Sequence, residues 1–177
     1  MFSIFLWIIG TLIAKWLPHT ANYSPEIAMT VYFASRYRFI VASLLTLITV
    51  EIADLGLALL YHYPFGGWWS FFNSLSLLCI IGLFAKPWVK IFSVDACSRV
   101  CSAALFYWIL TNFGVWLSSG YYPLTLSGLM ACYSMALPFL PAQLISGFAF
   151  ALLWGALRKS IQFSNFFEVI CQKVKFL

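Results

Sequence analysis

Six apolar stretches, residues 2–17, 25–35, 39–61, 68–85, 98–117 and 140–157, follow one another with only short polar punctuation between them. A helix needs roughly 17 to 25 apolar residues to cross the hydrocarbon of a bilayer, and five of the stretches are near that length. The stretch at 25–35 is too short, because its rise of roughly 16 Å falls well below the ~30 Å of hydrocarbon. It must be tilted into protein, extended by irregular chain, or re-entrant. A further apolar piece, 124–137, ends at Pro138 and Pro141. Proline removes a helical donor and breaks helices, so this piece is expected to be a surface or re-entrant helix and the last span to begin after it.

The composition agrees, since 63% of the 177 residues are hydrophobic and 8% charged, more apolar matter than one soluble core could hide. The expected fold is an all-α membrane bundle of about six transmembrane helices over 1–159, its second segment short or re-entrant. A basic, mildly amphipathic tail at 160–177 would follow, resting on the anionic cytoplasmic leaflet. Residues 1–17 have no basic leader and no small-x-small cleavage site, and so read as a retained span.

Charge sets the orientation, because short cytoplasmic loops collect Lys and Arg. With six spans and both termini inside, Arg36, Arg38, Lys86, Lys90, Arg99, Arg158, Lys159, Lys173 and Lys175 are cytoplasmic, and Lys15 alone of the ten basic residues faces the other way. A five-span partition with an outer N-terminus would place all ten inside; six spans are preferred. The net charge of +5 is thus explained by topology, and nucleic acid is not expected as a partner. The expected location is the bacterial inner (cytoplasmic) membrane, multi-pass, with the lipid bilayer as the chain's principal surroundings.

The outer face then holds both histidines, His19 and His62, together with Asn22, Tyr23, Trp68 and Tyr122. An interfacial aromatic belt accounts for many of the rings. Within the third stretch Glu51 and Asp54 share a helix face. An ionisable group at that depth must face the bundle or a wet cavity. Asp54 either ties the span to its neighbours, by pairing with His19 or capping the chain near Pro25, or meets a ligand in a cavity open to the outside; Glu51 is read first as structural. Asn112, in the fifth stretch near Trp116, either bonds across helices or faces a ligand. Gly10-x-x-x-Ala14 is a spacing that permits close helix approach.

Cys79, Cys97, Cys101, Cys132 and Cys171 have no paired spacing, so neither a disulfide framework nor a metal site is expected, and Cys97 and Cys101 read as packing residues. No nucleotide-binding loop, zinc motif or nucleophile elbow is present. An enzyme is not expected, and neither is a cofactor.

The run Leu17-Pro18-His19, Asn22-Tyr23-Ser24-Pro25, Asp54-Leu55-Gly56, Asn112-Phe113-Gly114-Val115-Trp116, Tyr122-Pro123, Gly128-Leu129, Cys132-Tyr133 and Pro138-Phe139 resembles an uncharacterised family of small bacterial six-span membrane proteins. That family is in turn distantly similar to the substrate-binding S components of energy-coupling-factor (ECF) vitamin transporters, including the solitary ones that take up cobalamin. The resemblance implies a vitamin-like ligand in an outward-facing cavity, release by toppling of the whole protein, and an ECF transmembrane/ATPase module as a partner. It makes His19, Asp54 and the tyrosines contact candidates. The chain departs from the pattern in having Pro138-Phe139-Leu140-Pro141 in place of Pro-Phe-Phe-Arg, and no cysteine in the second outer loop. His19, His62 or Cys132 would be the remaining soft donors if the ligand were a corrinoid.

Taken together, the sequence points to a solute-binding uptake protein whose contacts are His19, Asn22, Tyr23, Asp54, His62, Trp68, Asn112, Trp116 and Tyr122. Two alternatives stand beside it: a proton-coupled secondary carrier using Asp54, and a structural or assembly subunit without a ligand.

Overall fold

The computed structural model describes residues 2–17, 23–62, 65–84, 94–153 and 156. All regular structure among them is helical: α1 (Phe2–Trp16), α2 (Glu26–Arg36), α3 (Phe39–Tyr61), α4 (Gly67–Leu83), α5 (Val94–Ser118) and α6 (Leu126–Ala136), followed by a 3₁₀ turn (Leu137–Phe139) and further helical turns over 140–153. The tail 160–177, His19 and Asn22 lie outside the described residues.

α2 is the axis of the bundle. It is short because its residues contact protein along their whole length: Glu26 through Ala34 are all buried, and α1, α3, α4 and α5 pack around them. Pro25 supplies a helical φ of −76° at its start, and Thr30 returns its hydroxyl to the Glu26 carbonyl at 2.7 Å, which leaves that face without an unpaired polar group. Of the three alternatives for this segment, the structure selects burial within protein.

The surrounding helices are apolar on the outside. On α3 the exposed stripe is Ile40, Leu44, Ile48, Ile52, Leu55 and Leu59, whereas the buried face is Ala42, Ser43, Thr46, Thr49, Val50 and Ala53. A water-soluble helix has the opposite arrangement. Small and hydroxylated side chains inside, with large apolar ones outside, suit helices that associate in lipid, where close packing replaces the hydrophobic drive. Three helical runs are long and apolar enough to cross a membrane, Phe39–Tyr61, Ser98–Ser118 and Leu126–Leu153, consistent with a membrane protein; Ile4–Trp16 and Gly67–Leu83 are shorter. Six full-length spans are therefore not supported by helix length.

Leu126–Leu153 corrects the expectation of a break at the prolines, because the helical path continues through them. The chain tightens into a 3₁₀ turn in which the Leu140 N–H bonds to the Leu137 carbonyl. That carbonyl would otherwise await a donor from position 141, so Pro141, which has none, leaves nothing unpaired.

Close approach is made by glycines other than Gly10. A methyl group on Gly10 would meet nothing within 4 Å, while one on Gly56 would strike the Trp16 ring, on Gly114 the Phe72 ring and on Gly128 the Pro123 carbonyl. The Gly10-x-x-x-Ala14 spacing thus does not mark a tight helix contact here. Gly114→Ala and Gly128→Ala should each lower stability by about 1–3 kcal/mol through overpacking, whereas Gly10→Ala, in open space within a helix, should not lower it; thermal unfolding of the three variants in one detergent would compare them.

Candidate functional site

Three helix ends meet at one pole of the bundle. α1 finishes there with Lys15 in its last turn, α2 begins there with Glu26, and α3 passes with Asp54 about two turns before its end. A cation at a helix C-terminus and an anion at an N-terminus each complement the helix dipole. The Lys15 ammonium bridges both acids, pairing with the Glu26 carboxylate and donating to Asp54 Oδ1 at 2.5 Å. Lys15 and Glu26 are buried, but the Asp54 side chain keeps 21% of its surface.

The α1–α3 contact is fixed beside this bridge by Trp16 and Tyr61. The Trp16 indole N–H donates to the Ala53 carbonyl at 3.0 Å, its ring covers Gly56, and the Tyr61 hydroxyl donates to the Trp16 carbonyl at 2.7 Å. Glu51, one turn deeper, accepts from Ser74 at 3.1 Å and Ser70 at 3.4 Å, joining α3 to α4.

Next to the bridge lies a cavity of about 300 Å³. Lys15, Glu26 and Asp54 form one wall, Trp69 and Asn73 of α4 and Tyr107 of α5 another, and Gln143 of the helical arm 140–153 closes a third side. Trp69, 52% exposed, marks the open side together with Asp54. Tyr107 donates its hydroxyl to Asn73 Oδ1 at 2.5 Å, and Gln143 donates Nε2 to the Ala104 carbonyl at 3.4 Å. Both bonds hold amide side chains at the wall, where their remaining polar atoms have no partner among the described residues. Among the described residues, one ammonium against two carboxylates gives the cavity wall one formal negative charge.

A family model, described as a family of unknown function (DUF6580), matches residues 1–166. The chain belongs to this family. Comparison with curated proteins and with solved structures gave no match.

Within this DUF6580 member the sequence-predicted contacts are dispersed. Asp54 is on the cavity wall. Tyr23 packs its ring 5.7 Å from Phe150, and His62 is exposed where it ends α3 in a left-handed conformation at φ 56°. Trp68 is exposed against Phe71, and Trp69, its neighbour, takes the cavity position. Asn112 donates to the Trp108 carbonyl of its own helix at 2.8 Å, a local bond that is neither of the expected alternatives. Trp116 donates to the Pro123 carbonyl at 3.0 Å and so pins the α5–α6 connection, where half-buried Tyr122 also lies. None of these six residues lines the cavity. His19 and its expected pairing with Asp54 fall outside the described residues, and among those residues the partner of Asp54 is Lys15.

Polar and aromatic wall residues that sequence reasoning does not select are Lys15, Ser24, Glu26, Trp69, Asn73, Tyr107 and Gln143. Four of them carried a signal. Lys15 is the lone exception to the charge partition, and Asn73, Tyr107 and Gln143 are polar groups inside apolar stretches, where a partner or cavity is required. Removing the shared cation should be the most damaging change at the bridge. Lys15→Met leaves two adjacent carboxylates uncompensated and should cost about 3–5 kcal/mol, whereas Asp54→Asn, which leaves Lys15 paired with Glu26, should cost much less; denaturation midpoints of the two variants would measure the difference.

Proposed function

We propose that the protein is a membrane-embedded solute-binding subunit for uptake of a small, partly aromatic, vitamin-like nutrient. The observation that carries the reading is Asp54: its carboxylate borders an open cavity and is not sealed in packing. The cavity combines a few fixed polar groups with the rings of Trp69 and Tyr107, a lining suited to stacking and a small number of hydrogen bonds. Arg36, Arg38 and Arg99 lie at the other pole, where α2 ends and α3 and α5 begin. In this reading that pole is cytoplasmic, both termini are inside, and the cavity faces outward across a bacterial inner membrane.

The resemblance to ECF S components supports the same assignment and makes an ATPase-driven module the partner to seek. The bundle would then be an S-component-like one, with α1 and α4 crossing beside the three longer helical runs. A volume near 300 Å³ is at the small end for ligand sites and favours a one- or two-ring nutrient over a corrin macrocycle such as cobalamin. Native mass spectrometry of protein purified in mild detergent should reveal a bound small molecule, and a vitamin panel should contain a compound that raises the melting temperature. A ligand-free spectrum with no stabilising compound would refute the proposal.

A second reading, proton-coupled secondary transport, is favoured by the shared lysine. Because Glu26 and Asp54 both pair with Lys15, one of them can accept a proton while the other keeps the cation neutralised. In that case uptake into proteoliposomes should follow an imposed pH gradient and fail in Asp54→Asn; uptake indifferent to the gradient would exclude it.

A further inference from the structure

The cavity's charge and its hydrogen-bond inventory point in one direction. Lys15 already divides its ammonium between Glu26 and Asp54, and these acids have four carboxylate oxygens between them, of which Lys15 engages one on each. The Gln143 carbonyl oxygen also has no donor among the described residues, although the side chain is 95% buried, its exposure being 5%. The Tyr107 hydroxyl donates its only proton to Asn73 and presents lone pairs. Among the described residues the wall's uncommitted donors are the Asn73 amide nitrogen, the second amide N–H of Gln143, the Ser24 hydroxyl, the third N–H of Lys15 and the Trp69 indole, and of these Lys15 alone carries charge.

An anionic ligand would meet two carboxylates at short range, and a neutral one would leave the excess charge unbalanced in a half-enclosed site. A cation would neutralise that charge and donate to the carboxylate oxygens that Lys15 leaves open. Trp69 adds an aromatic face at the open side, where a planar cation can stack.

We infer that the cavity is selective for a small planar organic cation bearing N–H donors, an amidinium or a protonated amine on an aromatic ring, with its charged end at Asp54 and Glu26 and its ring against Trp69. This inference rests on the solute-binding reading and narrows it to a ligand class. The two acids and the stacking ring are separate determinants: one sets the sign of the charge, the other the shape.

Three compounds of nearly identical size test the charge alone: benzamidine as the cation, benzamide as the neutral isostere and benzoate as the anion. Their affinities are obtained by thermal-shift titration of the unmodified protein in detergent. Benzamidine should bind at least about tenfold more tightly than benzamide, and benzoate should not bind. In Asp54→Asn the preference for benzamidine should collapse; Trp69→Leu should weaken benzamidine while Trp69→Phe retains part of its affinity. Equal binding of benzamide or benzoate by the unmodified protein would overturn the cation preference and leave the solute-binding reading standing. Absence of binding by all three, with a neutral or anionic molecule co-purifying, would do the same. Absence of binding with nothing co-purified would overturn both.

Discussion

The pole of the bundle that holds the cavity is organised by one ammonium group. Lys15 is placed by the last turn of α1, and its two partners come from the start of α2 and the body of α3, so a single side chain joins three helix segments that run in alternating directions. Pairing in a partly desolvated setting is costly to break, because any partner left behind is a buried charge. That asymmetry makes the bridge a strict geometric requirement. The cavity wall exists because Lys15, Glu26 and Asp54 must stay together, and the Trp16 and Tyr61 bonds keep α1 and α3 at the separation the bridge needs.

Elsewhere the polar groups are disposed differently. Thr30, Thr49, Ser76, Thr111, Asn112, Ser118 and Ser134 all bond to carbonyls four residues earlier in their own helices. Such side chains allow close packing without committing a helix to a particular neighbour. Longer side chains make polar bonds between helices: Glu51 to α4, Tyr107 to Asn73, Trp108 to the Ala136 carbonyl and Tyr133 to the Ile109 carbonyl. The second joins two residues of the cavity wall, so a bond that ties α4 to α5 also orients polar groups of that wall.

Much of the architecture is legible in the order of residues, for a reason particular to membranes. Apolar length reports directly on crossing, so the stretches at 39–61 and 98–117 correspond closely to helical runs in the structure. The shortness of 25–35 also carries information, since a helix surrounded by protein need not match the bilayer. What the sequence conceals is pairing. Asp54 is conspicuous as an acid in an apolar stretch, but nothing in the spacing between positions 15, 26 and 54 tells which cation reaches it. Lys15 looks like a residue at the outer interface until the bundle folds it inward. The prolines mislead for a local reason: Pro141 would break an α-helix, but a 3₁₀ turn removes the need for its donor. Asn112 shows the converse, a polar residue inside a span that satisfies itself on its own backbone.

Trp16 has a mechanical implication. Its indole, its carbonyl and its ring are each engaged by α3 within little more than two turns, at Ala53, Tyr61 and Gly56, and the Lys15–Asp54 pair sits immediately beside them. α1 and α3 therefore behave as one plank at this pole. To pull them apart would cost two hydrogen bonds, a ring contact and an ion pair at once. The helical arm on the opposite boundary is attached more lightly, with Gln143 held to the wall by one long bond to the Ala104 carbonyl. Entry of a molecule larger than the resting volume would accordingly displace the arm beyond the 3₁₀ turn, while the charged wall stays put as a fixed template.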